Sequence, residues 1–170
     1  MKTTITKRRL AILLTVTGVC ALAGAALATP ASGIISGTVL ARAAFADRVD
    51  LKFKIKGDDK EAINVRDARD TVMQQIVMGP GGSTGWHSHP GPVVVLVKAG
   101  ELTLYSGDDP TCTGHTYSAG QAFIDSGQGH VHIGRNQSLS QNAELWVTYF
   151  DVPPGGPFRI DAAAPGNCGF

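Results

Sequence analysis

Short apolar runs separated by turn residues are the feature that most constrains the fold of this chain. Leu51, Phe53 and Ile55 alternate with lysines, and this period of two is typical of a strand with one buried face. The charged segment 58–70 is expected to be a loop or irregular turn. Further runs follow at short intervals: TVMQQIVM, VVVLVKAG, ELTLYSG, HTYSAGQAFID, HVHIGRN and AELWVTYFDV. Evenly spaced strands with glycine turns predict a single all-β domain closed into a small barrel or jelly roll, because closure removes the edges of the sheet.

The composition excludes several other classes of protein. The chain has 170 residues, 43% of them hydrophobic, and its 21 glycines follow no short-period repeat, which excludes collagen and argues against disorder. Beyond residue 28 there are fourteen acidic and eleven basic residues, a net charge of −3, and the basic residues are mixed with acids along the chain. Nucleic acid is therefore not an expected partner.

The N-terminal segment is typical of an export signal. A basic stretch, MKTTITKRR, precedes an uncharged apolar run over residues 10–28 that ends in Ala-Leu-Ala. We predict a signal peptide over residues 1–28, a linker over residues 29–36 and a barrel domain over residues 37–170, in an exported protein that is periplasmic or secreted. An uncleaved membrane anchor is the alternative, since nineteen apolar residues can cross a bilayer. Lipidation of Cys20 and a twin-arginine signal match the flanking residues poorly.

Two cysteines, Cys112 and Cys168, lie beyond the leader. In an oxidising compartment an even pair of cysteines favours a disulfide over two unrelated thiols, which are the alternative. Closing a loop of this length would contribute about 4 kcal/mol in the chain-entropy model. The bond would hold the C-terminal tail, APGNCGF, against the loop DDPTCTG.

A histidine pair stands at the start of an apolar strand. His87 and His89 are two residues apart, so both side chains point to the same face of a strand. Five residues separate Gly81 from His87, three separate His89 from Val93, and six separate Val93 from Gly100. This spacing resembles the first motif of the cupin superfamily, the double-stranded β-helix barrels, at every landmark except one. The glutamate of that motif is replaced by Val93.

A second cupin-like motif follows in the chain. Gly120 opens it, Gly129 precedes His132 by two intervening residues, and Asn136 follows His132 after three. The proline of the family pattern falls at Gly127, with one extra residue in the spacing.

The resemblance covers residues 81–136 and implies a single cupin barrel, similar to the type-2 conserved barrels, with a metal site made by His87, His89 and His132. Three imidazoles form a borderline donor set suited to Zn, Fe, Cu or Ni, and the loss of the glutamate weakens the preference for manganese. Three-histidine sites occur in this fold, notably in the thiol dioxygenases, so Val93 does not by itself exclude a metal. The alternative is a vestigial pocket whose histidines bind one another and water.

Other polar residues near the motifs receive weaker assignments. His130 could be a fourth ligand, an acid or base in the pocket, or a rim residue, and the rim is favoured. His115 is expected at the surface, and Asn136 is expected to serve a turn. The run AELWVTYFDV has two alternating faces, and the pattern does not decide which of them lines the barrel. No Ser-His-Asp arrangement or phosphate-binding loop is recognisable.

The resemblance implies an exported small-molecule cupin with a divalent metal centre. If the protein is an enzyme, metal-dependent oxygenase-like chemistry is the first expectation, and His130 is the only candidate for a general base. The alternative is a non-catalytic module that binds a small ligand or metal, with a vestigial site. The expected partner is a small molecule; a homodimer is left open, and a membrane is a partner only if the leader is uncleaved.

Overall fold

The structure, a computed structural model, describes residues 27–55 and 61–170. Nearly all of the predicted signal peptide lies outside these residues. Within them the chain contains strands and no helix, and hence no helix long and apolar enough to cross a membrane. The strands are β1 (Ser32–Ala44), β2 (Leu51–Ile55), β3 (Glu61–Val65), β4 (Asp70–Ser83), β5 (His87–Ser88), β6 (Val93–Ala99), β7 (Glu101–Ser106), β8 (His115–Ser118), β9 (Ala122–Asp125), β10 (His132–Arg135), β11 (Ala143–Val152) and β12 (Ile160–Asp161).

Ten of these strands form one antiparallel sheet that curls into a nearly closed barrel. Hydrogen-bonded neighbours on one side follow the order β1-β4-β11-β6-β9, and on the other side the order β12-β5-β10-β7-β8. The two sides join where the last residue of β4, Ser83, pairs with Arg135 of β10. The predicted all-β barrel is therefore confirmed. Strands β2 and β3 form a separate hairpin.

A bend inside β4 lets this one strand serve both sides of the barrel. Gly81 has φ +68°, a conformation that favours glycine. A Cβ on Gly82 would lie 2.5 Å from Met78 Cγ, so the bend also needs a residue without a side chain there. The Asn136 amide fastens the bend by donating to the carbonyl oxygens of Met78 at 3.2 Å and Gly79 at 3.0 Å. This contact agrees with the turn role expected for Asn136.

The barrel interior is filled by alternate residues of the paired strands. On β11 the face of Leu145, Val147 and Tyr149 is buried, while Trp146 is 40% exposed and donates its Nε1–H to Glu144. The face that the sequence left undecided is thereby assigned. The core consists of Val72, Met78, Val93, Val95, Val97, Leu102, Phe123, Ala143, Leu145, Val147, Tyr149 and Val152.

Two segment boundaries differ from the sequence-based expectation. β1 begins at Ser32, inside the segment 29–36 predicted as a linker, because residues 32–36 pair with β4. The charged segment 58–70, expected to be a loop, contains β3, which pairs with β2. The overlooked signal was the alternation of Ile63 and Val65, whose side chains are buried.

The structure joins Cys112 and Cys168 in a disulfide, with their Cα atoms 5.3 Å apart, in agreement with the predicted pair. The tail is also held by Asn167, whose amide donates to the carbonyl oxygen of Ser106, at the end of β7, at 2.9 Å and to that of Asp109, in the loop that follows, at 2.6 Å. The covalent bond and these hydrogen bonds fix the loop after β7, which begins next to Ser106 and its contact with His130.

Replacing Cys112 by serine should lower the free energy of unfolding by about 2–4 kcal/mol, because the bond closes a loop with a sequence separation of 56 residues. Urea unfolding of the oxidised protein and the variant measures the difference. Cys168→Ser should cost the same amount, and the double variant should cost no more than either. Native protein whose two thiols both react with a labelling reagent would contradict the bond.

Candidate metal centre

The barrel brings the three predicted ligands together in its interior. His87 on β5 is the register partner of His132 on β10, and His89 follows β5 directly. All three side chains are buried, at 4–5% exposure. Their ring centroids are 4.4–5.2 Å apart, and each ring can offer a nitrogen within 4.8 Å of the others. The group could therefore hold a metal ion.

Backbone carbonyls fix the tautomer of two of these rings. His87 Nδ1 lies 2.8 Å from the carbonyl oxygen of Gly85, and His89 Nδ1 lies 2.7 Å from that of Phe158. A carbonyl oxygen only accepts hydrogen bonds, so in both rings Nδ1 carries the proton and Nε2 keeps a free lone pair. An imidazole held through its distal N–H in this way is typical of a metal ligand.

Burial keeps the same two rings neutral. Loss of solvation, together with the nearby His132, lowers the pKa of His89 to about 4 and lowers the pKa of His87 further. Neutral imidazole is the form that binds a metal, so both rings are in the binding form at neutral pH. The chemistry of the donor set and its orientation thus fit a divalent ion.

The position of the missing glutamate lies inside the site. Val93 is 1% exposed and lines the same interior cavity, of about 40 Å³, as the three histidines, whereas Val94 on the opposite face is half-buried. At this position β6 presents an isopropyl group to the rings. No residue of β6 therefore supplies a carboxylate to the centre.

A carboxylate that the sequence analysis missed lies on the neighbouring strand. Asp125 of β9 is the register partner of Val93 and is 4% exposed. Its Oδ1 accepts a hydrogen bond from His130 Nδ1 at 2.9 Å and lies 3.2 Å from His132 Nδ1. The second contact is off the hydrogen-bond line, so His132 Nδ1 is a buried polar atom without an aligned partner.

Electrostatics keep Asp125 ionised. Burial raises the pKa of this carboxyl, but the hydrogen bond from His130 and the close approach of His132 outweigh burial and leave the pKa far below its usual range. The available sequence signal was the run AFID: Phe123 and Asp125 share one strand face, and an aspartate on a core-facing position calls for a partner.

His130 belongs to a second cluster rather than to the three-histidine group. It is half-buried on the outer side of Asp125, and its Nε2 lies 2.6 Å from Ser106 Oγ. His115 is exposed, as expected, although it lies on β8 and not in a turn.

The contacts of Ser106 resemble a Ser-His-Asp arrangement, which the sequence analysis did not find. However, the Ser106 hydroxyl donates to Asp108, so its oxygen accepts the hydrogen bond from His130. His130 Nδ1 donates to Asp125, and this hydrogen bond raises the pKa of His130. Since His130 holds no free lone pair for the hydroxyl proton, Ser106 is not activated as a nucleophile.

A larger cavity, of about 320 Å³, opens against His87 and His89. Its walls are mainly apolar, and a few polar groups face it: the lining includes Ile34, Ile76, Phe158, Gln74, Tyr149 and Arg159. The Tyr149 hydroxyl donates to Gln74 Oε1 at 2.8 Å. An apolar pocket with few polar groups is typical of a small-molecule site.

Comparison with known proteins finds similarity at the level of solved structures. No family model matches the chain, and no curated protein is similar to it. Similar solved structures include an oxalate oxidase, with 24% identity over 48% of this chain and a TM-score of 0.41. They also include a cupin superfamily protein from Desulfitobacterium hafniense, with 11% identity over 59% of this chain and a TM-score of 0.40. A cupin superfamily sugar phosphate isomerase from Silicibacter pomeroyi also matches, with 21% identity over 49% of this chain and a TM-score of 0.41.

The structural neighbours are cupin superfamily proteins. The matches span 41%, 75% and 52% of the three neighbouring chains, so this chain covers about two fifths of the oxalate oxidase. A nearly closed antiparallel barrel is the architecture that the cupin resemblance implied.

The lowered pKa of His89 should make the stability of the chelator-treated protein depend on pH. The unfolded chain binds a proton here below pH about 6.5, whereas the folded protein does so only near pH 4, so stability falls as the pH is lowered between these values. Urea unfolding should show a loss of up to about 3 kcal/mol from this one group.

His89→Gln is the matched variant for this measurement. It should remove that part of the pH dependence. His130, whose raised pKa contributes stability that is lost as the pH rises, is present in both proteins and cancels in the comparison. Identical pH profiles for the two proteins would show that His89 titrates normally.

Proposed function

We propose that this protein holds a divalent transition metal on His87, His89 and His132 and binds a small molecule in the cavity that opens against two of these residues. The observation that carries the proposal is the orientation of the buried rings. Two of the three are fixed through Nδ1 to backbone carbonyls, which leaves Nε2 of each available in an apolar barrel. A buried lone pair with no donor to meet it is costly unless a ligand takes it.

The donor set favours zinc, iron, copper or nickel. Imidazole nitrogens are borderline ligands, and Val93 withholds the carboxylate oxygen that manganese prefers. Bound in this position, the ion would supply a Lewis acid or, for iron and copper, a redox centre. The residues of this chain would hold the ion in an inner cavity of about 40 Å³, which limits the water beside it to a few molecules.

The larger cavity fits a small ligand with an apolar body. Ile34, Ile76 and Phe158 supply apolar walls, and Gln74 and Tyr149 offer paired polar groups that would orient a polar end. The cupin neighbours include an oxalate oxidase and a sugar phosphate isomerase, which accords with a small-molecule ligand.

A non-catalytic binding protein is the second candidate, and one observation favours it. The interior position that would present a free carboxylate to the ligand is Val93, and the buried Asp125 is engaged by His130 and Gly127. Asp125, the carboxylate that lines the inner cavity, is thus already engaged by hydrogen bonds and is not free to move a proton. Substrate-dependent oxygen uptake by the iron or copper form would favour an enzyme instead.

We further propose that the protein is exported. The basic and apolar leader over residues 1–28 and the pairing of Cys112 with Cys168 support this location. Intact-mass measurement of protein from its native host should give a chain that begins near Thr29. A membrane-bound form that retains Met1 would establish an uncleaved anchor.

The metal proposal predicts that His87→Ala and His132→Ala each abolish most zinc binding, because two imidazoles rarely hold a divalent ion tightly. His115→Ala, at the exposed histidine of β8, is the matched control and should bind as the wild type does. Competition with a chromophoric chelator measures the affinity, and melting with and without metal gives a second readout. Wild-type protein that neither binds zinc, iron, copper or nickel nor melts higher in their presence would establish a vestigial pocket.

A further inference from the structure

We infer that Asp125 is the carboxylate of this centre: placed on β9 behind His132, it supplies the negative charge that Val93 has removed from β6. The inference rests on the metal site proposed above. It assigns to Asp125 the role of a positioning residue that acts through His132. Neither the motifs of the sequence nor the three-histidine group contains it.

The register of the barrel places the two positions side by side. Val93 and Asp125 are directly opposite each other on neighbouring antiparallel strands, and both side chains are buried in the same interior cavity. Opposed residues of such strands have Cα atoms about 4.5–5.5 Å apart. The carboxylate therefore lies one strand away from the glutamate position of the motif, and it is still next to the rings.

The contacts of Asp125 explain why a charge is tolerated there. Oδ2 accepts from the Gly127 N–H at 3.0 Å, and Oδ1 accepts from His130. Burying a carboxylate without partners would cost several kcal/mol, so these two donors stabilise it. They also fix its orientation, with Oδ1 turned towards His132.

His132 is the one ring of the three whose Nδ1 has no carbonyl partner. His87 and His89 donate to backbone oxygens, whereas His132 Nδ1 lies 3.2 Å from Asp125 Oδ1. The atom is buried and lacks an aligned hydrogen bond. Rotation of the ring towards Oδ1 would align this contact and would leave Nε2 free, as it is in the other two histidines. Asp125 thus completes the set of acceptors that orients the ligands.

His130 holds Asp125 from the other side. Its Nδ1–H donates to Asp125, and its Nε2–H points to Ser106, next to the exposed Asp108. The carboxylate is therefore clamped between two imidazoles, one of the proposed centre and one facing outward. Such a clamp restricts the rotation that would otherwise separate Asp125 from His132.

The first experiment measures zinc and cobalt affinity by chelator competition in the wild type, Asp125→Asn and Asp108→Asn. The asparagine at 125 keeps the size of the side chain but removes its charge, so affinity should fall about 10–100-fold, the usual effect of losing a residue that orients a metal ligand. Asp108→Asn, at an exposed neighbour of His130, should leave affinity within about twofold. The visible absorption spectrum of the cobalt form should change in Asp125→Asn only, because the orientation of His132 changes.

The second experiment returns the carboxylate to β6. Val93→Glu added to Asp125→Asn should recover zinc and cobalt affinity, since the glutamate points into the interior that Asp125 occupied. Val94→Glu in the same background is the matched control, and it should recover nothing because Val94 lies on the outer face. Recovery by both glutamates would indicate a general charge effect and would overturn the inference.

The outcomes separate this inference from the proposed function. Wild-type protein that binds neither metal overturns the metal site, and the role of Asp125 with it. Wild-type protein that binds zinc while Asp125→Asn binds equally well, with the same cobalt spectrum, overturns the role of Asp125 alone. If Asp125→Asn does not fold, the tautomer of His132 in the chelator-treated wild type decides by long-range ¹H–¹⁵N NMR. A proton on Nδ1 supports the inference, and a proton on Nε2 contradicts it.

Discussion

An imidazole buried in an apolar barrel must give its N–H to an acceptor, and the arrangement of this protein follows from where those acceptors lie. Gly85 supplies one carbonyl from the loop between β4 and β5, and Phe158 supplies another from the segment that precedes β12. Each hydrogen bond places the proton on Nδ1 and directs Nε2 inward. The chain on both sides of the histidine pair is therefore part of the site, although neither carbonyl belongs to a recognisable motif.

The positions of these acceptors depend on close backbone packing. Gly85 has φ +68°, and a Cβ at this residue would lie 2.3 Å from the carbonyl oxygen of Thr29. Any other residue would have to displace the segment before β1, whose Thr29 hydroxyl accepts from the Trp86 N–H at 2.8 Å. Segments far apart in sequence thus fix the backbone that holds His87, and the fold and the donor geometry share one set of contacts.

Much of this could be predicted from the sequence because strand alternation and turn residues are local signals. The barrel and the shared face of His87 and His89 follow from spacing that reflects a period of two, whereas their convergence with His132 was implied by the resemblance to the cupin motifs. Asp125 was missed because its meaning depends on register: only the pairing of β6 with β9 places it opposite Val93. Strand register is a long-range property, and no local pattern in AFID specifies the partner strand.

The same limit explains the other differences. Residues 32–36 look like a linker when considered alone, and they become a strand because β4 is long enough to pair with them. The contact between Ser106 and His130 joins residues 24 positions apart, from the end of β7 and the loop before β10. In each case the residues are ordinary in sequence, and the neighbour supplied by the fold determines their role.

A carboxylate on β9 in place of one on β6 would leave the total charge of the centre unchanged but would alter the number of metal ligands. A glutamate at position 93 would face the ion directly and occupy one of its coordination positions. Asp125 lies behind His132, where it can offset positive charge through the ring without becoming a ligand. Three histidines with an outer carboxylate therefore leave one more position open than three histidines and a glutamate. The inner cavity beside the histidines is lined in part by valines, and His87 and His89 also line the larger cavity. The replacement of glutamate by Val93 is thus consistent with a centre opened to a ligand, with its charge balance kept by the neighbouring strand.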